Sequence, residues 1–210
     1  MDLNNFLLFA LASLMLNLTP GNDMLYVASR STGQGIKAGI VSAFGIMGGG
    51  LVHTLGAVIG LSAIIARSAL AFDIIKYLGA AYLVYLGLRS VISKSNAAFV
   101  VPGKMVSIPL TQVFYQGIIT NVLNPKVALF FLAFLPQFIT QGRGNEPGQI
   151  LFLGIYFNLS GTIVNILVAV LFGKLGNWFS KSPKFIRVQQ KVTGIVLIAL
   201  GVKIALSSRE

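Results

Sequence analysis

Cysteine is absent from this chain, histidine occurs once, and the acidic residues number five against sixteen lysines and arginines. Without cysteine there are no disulfides, iron–sulfur clusters or thiolate metal sites. A single histidine excludes a multi-histidine metal centre, so no metal or other cofactor is expected. Charge of either sign is also scarce, at 10% of residues, whereas a soluble domain carries about 25%. What is abundant is apolar: 55% of the residues are hydrophobic and the mean hydropathy is +0.83. The natural solvent of such a surface is lipid. The net charge of +11 does not indicate nucleic acid, because the basic residues fall mostly in short polar gaps between apolar runs, which is how membrane topology is specified.

The first apolar run, Phe6 to Leu16, follows Asp2 with no Lys or Arg and leads to no clean cleavage site, so it is expected to be a retained helix. Residues 3–22, 38–66, 105–125, 127–142 and 147–173 carry no charge. Most of these windows are near or above the roughly 17–25 residues of a crossing. The pair split by Lys126 reads as one helix, Leu110 to Ile139, and spans at Asp73–Ile92 and Val188–Leu206 complete a set of six. In the latter two, Lys76, Lys191 and Lys203 can snorkel to the headgroups. The gaps after spans one, three and five hold ten basic residues, among them Arg30, Arg89, Lys94, Lys104, Lys181 and Arg187. The opposite side holds five: Arg67, Lys76, Arg143, Lys203 and Arg209. This bias predicts both termini outside and the basic loops in the cytoplasm.

The halves align weakly about 105 residues apart: Asn17-Leu-Thr-Pro20 with Val122-Leu-Asn-Pro125, and His53-Thr-Leu-Gly56 with Asn158-Leu-Ser-Gly161. Leu86-Gly-Leu-Arg89 matches Leu200-Gly-Val-Lys203 at a shifted offset. With three spans per half the copies would sit upside down to each other, as in many secondary transporters. The expected fold is therefore an all-α integral membrane protein of six transmembrane helices in two inverted three-helix repeats, 1–92 and 110–210, joined by a cytoplasmic linker, 93–109. Proline within a helix removes a donor and frees the carbonyl four residues earlier. Helices one and four are thus expected to break at Pro20 and Pro125, exposing half-helix ends able to hold a substrate carboxylate.

Asp23, three residues past Pro20, can carry protons or cap the second half-helix, and the two roles are compatible. Lys126, the most deeply placed cation, needs a partner; Asp23 is the candidate, and snorkelling to an interface is the alternative. His53 can relay protons or simply donate a hydrogen bond, and its repeat mate Asn158 favours the bonding role. Asn17, Thr19, Asn121, Asn124, Asn158 and Asn165 can orient a zwitterion together with Pro20-Gly21 and Pro125, or Asn17 and Asn124 can satisfy backbone freed by the prolines. Gly45, Gly49, Gly56 and Gly60 make two small-xxx-small packing steps on helix two. Tyr77, Tyr82, Tyr85, Tyr115 and Trp178 read as packing or interface anchors.

Leu18-Thr-Pro-Gly-Asn-Asp-Met-Leu-Tyr-Val27, with Ser29-Arg-Ser31 and Gly35-Ile-Lys-Ala-Gly39, resembles the first-helix signature of the lysine exporter superfamily, nearest to its homoserine/threonine resistance branch. Gly45 to His53, Tyr77-Leu-Gly-Ala-Ala-Tyr-Leu-Val-Tyr-Leu-Gly87, Asn121-Val-Leu-Asn-Pro-Lys126 and Phe130-Phe-Leu-Ala-Phe-Leu-Pro-Gln-Phe138 resemble it too. The family pattern is usually Pro-Gly-Pro; here Asn22 stands in place of the second proline. The resemblance implies efflux of amino acids driven by the proton-motive force across a bacterial inner membrane.

The expected activity is thus secondary-active export of amino acids, by alternating access of the two repeats and proton antiport. The expected partners are the amino acid, protons and the bilayer, with homo-oligomerisation allowed. A channel without proton coupling is the second reading. An intramembrane enzyme is disfavoured, since one histidine and two intramembrane charges supply neither a nucleophile–base pair nor a metal cluster. No phosphate-binding loop is present.

Overall fold

The structure, a computed structural model, describes residues 3–61, 69–92, 107–140, 145–179 and 183–206. Apart from 107–109, the expected linker 93–109 lies outside the described residues, as do Arg67, Lys94, Lys104, Arg143, Lys181 and Arg209 and the side chains of Lys76, Trp178 and Arg187. Every regular element among the described residues is helical: α1 (Leu3–Leu18), α2 (Asn22–Gln34), α3 (Ile36–Gly56), α4 (Ala69–Ile92), α5 (Leu110–Val122), α6 (Pro125–Leu129), α7 (Glu146–Phe179) and α8 (Pro183–Leu206). A π-helical turn, Ala57–Leu61, extends α3; α6 runs on through a π turn, Phe130–Phe134, and a 3-10 turn, Leu135–Phe138.

Ile36–Gly60 and Glu146–Leu175 are each long and apolar enough to cross a bilayer. Two further pairs meet the same condition together: α1 with α2, bent by 50°, and α5 with Pro125–Phe138, bent by 48°. By length and composition the described residues thus hold two spans, or four if each bent pair is one, and α4 adds a shorter apolar stretch, Tyr77–Ile92.

The bends have local causes. Pro20 lacks the N–H that would continue α1, and Thr19, preceding a proline, is disfavoured in helical geometry. The chain passes through Gly21 in extended geometry (φ −168°, ψ −174°) before α2 begins. At the second bend Asn124 caps α6, its Oδ1 accepting from the Lys126 N–H at 3.0 Å, and Pro125 takes the first helical position, where no donor is needed.

Close packing uses small residues. A Cβ on Gly87 would lie 2.6 Å from the Gly194 carbonyl oxygen, and one on Gly194 would lie 2.6 Å from that of Gly87, so α4 and α8 cross backbone to backbone. Gly45 and Gly49 press on α5 as the small-residue pattern predicts, but Gly56 and Gly60 face open space. The reason is that α5 ends at Val122 and the chain bends away at that level.

The core divides into two apolar clusters. One gathers Phe9, Leu16, Phe130, Phe134, Phe138, Ile150 and Phe157; the other gathers Met24, Val27, Ala43, Ile46, Val164 and Phe172. Along the chain four buried polar residues fall between them: Thr19 and Asp23 between Leu16 and Met24, and Asn158 and Thr162 between Phe157 and Val164. A polar layer therefore lies between the clusters, level with both bends.

Candidate functional site

The missing proline donors define the site. In a continuous helix the Leu16 carbonyl would accept from residue 20, and the Asn121 carbonyl from residue 125. Both positions are proline. The Leu16 carbonyl accepts both from the Thr19 N–H and from Lys126 Nζ, each at 3.1 Å, and the same ammonium donates to the Thr19 carbonyl at 2.9 Å. The Asn121 carbonyl accepts from the Asn124 N–H at 2.9 Å and also lies 3.1 Å from His53 Nε2, a bond that requires the proton on that nitrogen. Each carbonyl freed by a proline is thus met by a titratable side chain from the other half of the chain.

Lys126 and Asp23 border one small cavity, together with Asn17, Asn121, Phe157 and Asn158. They do not form the expected ion pair. The ammonium is taken by backbone carbonyls, while Asp23 Oδ2 accepts from Asn121 Nδ2 at 2.8 Å and Asp23 Oδ1 has no partner. The physical reason is that the end of α1, stripped of a donor by Pro20, offers a better-placed negative pole to a cation.

Asn17 Nδ2 donates to Ser160 Oγ (3.1 Å) and the Phe157 carbonyl (3.4 Å), which fastens α1 to α7 just before the bend. Thr19 Oγ1 donates to the Met15 carbonyl at 2.8 Å. Asn158 donates to Thr54 Oγ1 (2.9 Å) and the Gly154 carbonyl (2.8 Å), and its amide oxygen fills the space a side chain at Gly50 would need. Two further buried polar atoms, Asn121 Oδ1 and Asn124 Nδ2, have no partner. The site therefore contains several polar atoms with spare bonding capacity, a composition suited to a small polar ligand.

A second, wider cavity lies across the bends, between Thr19–Asn22 and Asn124–Lys126 on one side and Tyr82, Leu86, Arg89 and Gln190 on the other. Lys126 borders both cavities. On the N-terminal side of α1 the aromatic cluster fills the interior: Phe9 lies 5.8 Å from Phe130 and 5.3 Å from Phe138, and Phe130 stacks on Phe157 at 4.3 Å between ring centres.

Arg30 is not the gap residue of the charge count. It lies buried within α2, donating to Gln116 Oε1 at 2.7 Å with its guanidinium 5.6 Å from the Tyr26 ring centre. Tyr26 donates to the Val113 carbonyl at 2.7 Å, and Gln34 accepts weakly from Arg30 at 3.5 Å. These contacts tie α2 to α5. The recurrence of Tyr26, Arg30 and Gln34 every four residues is the signal that could have placed them on one helical stripe. Among the described residues no group of His, Asp and Glu is arranged to hold a metal ion.

Residues 14–208 match the family of LysE type translocators. The uncharacterized membrane protein YrhP of Bacillus subtilis is 36% identical over 92% of this chain and 94% of its own length. The homoserine/homoserine lactone efflux protein of Salmonella typhimurium is 30% identical, covering 94% of each chain. The leucine efflux protein of Salmonella choleraesuis is 32% identical over 64% of this chain and 63% of its own. No solved structure matches.

Proposed function

Because the chain belongs to the LysE type translocator family, we propose that it is a secondary-active exporter of neutral, hydroxylated or branched amino acids, working by proton antiport in a bacterial inner membrane. The solute class follows the relatives named for homoserine and leucine efflux. The observation that carries the reading is the polar layer at two bent spans, where Asp23, Lys126, Asn17, Asn121 and Asn158 border one cavity between apolar clusters.

The transport cycle we propose treats 1–92 and 110–210 as inverted repeats that rock about this layer, with both termini outside. The pattern of contacts supports it. Asn17 donates to the Phe157 carbonyl, and in the corresponding place of the other half His53 donates to the Asn121 carbonyl. The approach of Gly87 to Gly194 and that of its repeat mate Gly201 to Ala80 fit the same two-fold relation. The wide cavity beside Arg89 and Gln190 leads the substrate toward the bends from the side of the basic loops, and the aromatic cluster closes the opposite side. Asp23, with its unpartnered oxygen facing the cavity, exchanges the proton.

Purified protein in proteoliposomes, preloaded with each common amino acid in turn, tests the reading by counterflow. Exchange confined to neutral, hydroxylated or branched amino acids, and accumulation driven by an imposed pH gradient, are expected. If no amino acid exchanges, export of amino acids is wrong; flux without coupled proton movement would make the protein a channel.

A further inference from the structure

The cavities meet at the Lys126 side chain, and what that side chain does there has a chemical reading. Its ammonium has three N–H donors. Two go to the Leu16 and Thr19 carbonyls, the negative pole of α1. The Leu16 carbonyl, denied a donor at residue 20 by the proline, keeps a bond from the Thr19 N–H at 3.1 Å, and the ammonium takes its remaining acceptor capacity. A Cβ at Gly21 would lie 3.2 Å from Nζ, so a small residue at the bend is what leaves room for the cation. Asp23, buried and with one oxygen unpartnered, borders the same cavity. Two carbonyls aligned at a helix end with a free carboxylate nearby form a receptor for a primary ammonium ion. The occupant is a tethered one.

We propose that the Leu16 and Thr19 carbonyls are the binding site for the α-ammonium of the transported amino acid, and that Lys126 fills it when the substrate is absent. The proposal rests on the amino-acid export reading. On arrival the substrate exchanges its ammonium for that of Lys126. The lysine, released from the carbonyls, is left beside the substrate's carboxylate and neutralises it. Both charges of a zwitterion are then met by one substitution, and each alone is insufficient. An N-acylated amino acid has no ammonium to displace the lysine. An amine without a carboxylate leaves the displaced lysine unpaired in a half-buried position, which is costly. Lys126 thus acts as the specificity residue that restricts transport to free α-amino acids, and it seals the passage between the cavities when no substrate is bound.

The test has one arm that needs no substrate. In detergent, Lys126→Ala is expected to unfold at a lower temperature than the unaltered protein. Methylammonium chloride is expected to raise that temperature in a concentration-dependent way, by binding the vacated carbonyls in the folded state. Choline chloride at equal ionic strength is expected to have no such effect, and the unaltered protein is expected to respond to neither. No response of the variant to methylammonium, or an equal response to sodium chloride, would overturn the ammonium site. The other arm uses the unaltered protein, so it stands even where the variant does not fold. In counterflow, the N-acetyl derivative of the exchanged amino acid is expected to compete about tenfold or more weakly than the parent, the loss expected of an unfilled charge-assisted site. Equal competition would overturn the proposal. If no amino acid exchanges at all, the export reading fails, and the methylammonium response still decides the site.

Discussion

Asp23 divides its carboxylate between Asn121 Nδ2 and an oxygen with no partner. Asparagine at this position keeps the bond to Asn121 and removes the titratable proton. Asp23→Asn is therefore expected to keep the fold and amino-acid counterflow. Flux driven by a pH gradient is expected to fall on the order of a hundredfold, the scale of losing a positioned proton-transfer group. Vesicle assays with and without the gradient separate the two, and equal loss in both would assign Asp23 to binding. His53 calls for a different substitution. Its nitrogen meets the carbonyl freed by Pro125, and its ring stacks on Phe131 at 5.8 Å. Glutamine can still donate there and phenylalanine cannot. Transport by His53→Gln is expected to stay within about threefold of the parent while His53→Phe loses more, by the net worth of one hydrogen bond. A collapse of the glutamine variant would return His53 to proton carrying. These two residues, with Lys126, stood out in the sequence because polar groups in apolar spans are few. Their partners did not. Asp23 looked like the natural mate of Lys126 by charge alone, whereas the acceptors that hold the lysine are backbone carbonyls, which no side-chain pattern displays. Arg30 is hidden for a related reason: the uncharged window ends before it, so in the sequence a buried cation held by Gln116 and Tyr26 has the look of a loop residue.

At the scale of elements, proline is legible because its effect is local. Helices end at Leu18 and Val122 and resume at Asn22 and Pro125, each beside the residue that lacks a donor. The angle across each junction is not legible, since it depends on what α3 and α7 allow. Pro20→Ala supplies the missing N–H to Leu16 and sets it in competition with Lys126. Up to about 3 kcal/mol separates proline from alanine in a helix interior. The thermal midpoint of this variant is expected to rise while transport falls, a stability–activity trade-off that unfolding and counterflow on one preparation would read. A fall in both would mean that the missing donor is not what holds the bend. The α3–α7 crossing has the opposite vulnerability. Gly50→Ala places a methyl where the Asn158 amide oxygen sits, and is expected to cost about 1–3 kcal/mol. Asn158→Ala in the same chain is expected to relieve part of that cost, measured as a double-mutant cycle in thermal unfolding.

At the scale of the molecule, the wide cavity opens beside the bends and touches the edge of the aromatic cluster at Leu86, which packs against it. Leu86 borders the cavity, and Leu153 is fully buried in the cluster. Because the chain has no cysteine, one introduced thiol reports on one position without background. Leu86→Cys is expected to react with an impermeant maleimide in inside-out vesicles and Leu153→Cys to stay protected. Labelling of both from the same face would mean that the cluster does not seal the interior. The apolar character of the spans was plain in the sequence. The separation of the core into two clusters was not, because both are built from the same residue types and only the polar layer divides them.

The exchange of hydrogen bonds across that layer also bears on how the protein is made. The carbonyl opened by Pro20 in the first half is met by Lys126 of the second, and the one opened by Pro125 in the second half is met by His53 of the first. Each carbonyl keeps one bond within its own half, from the Thr19 and Asn124 N–H groups, and takes its second from the other half. During membrane insertion the first half must wait, with the Thr19 carbonyl unmet, for a lysine not yet synthesised. A gene cut within 93–109 and expressed as two pieces should therefore yield two proteins that are each degraded alone and that protect one another when made together.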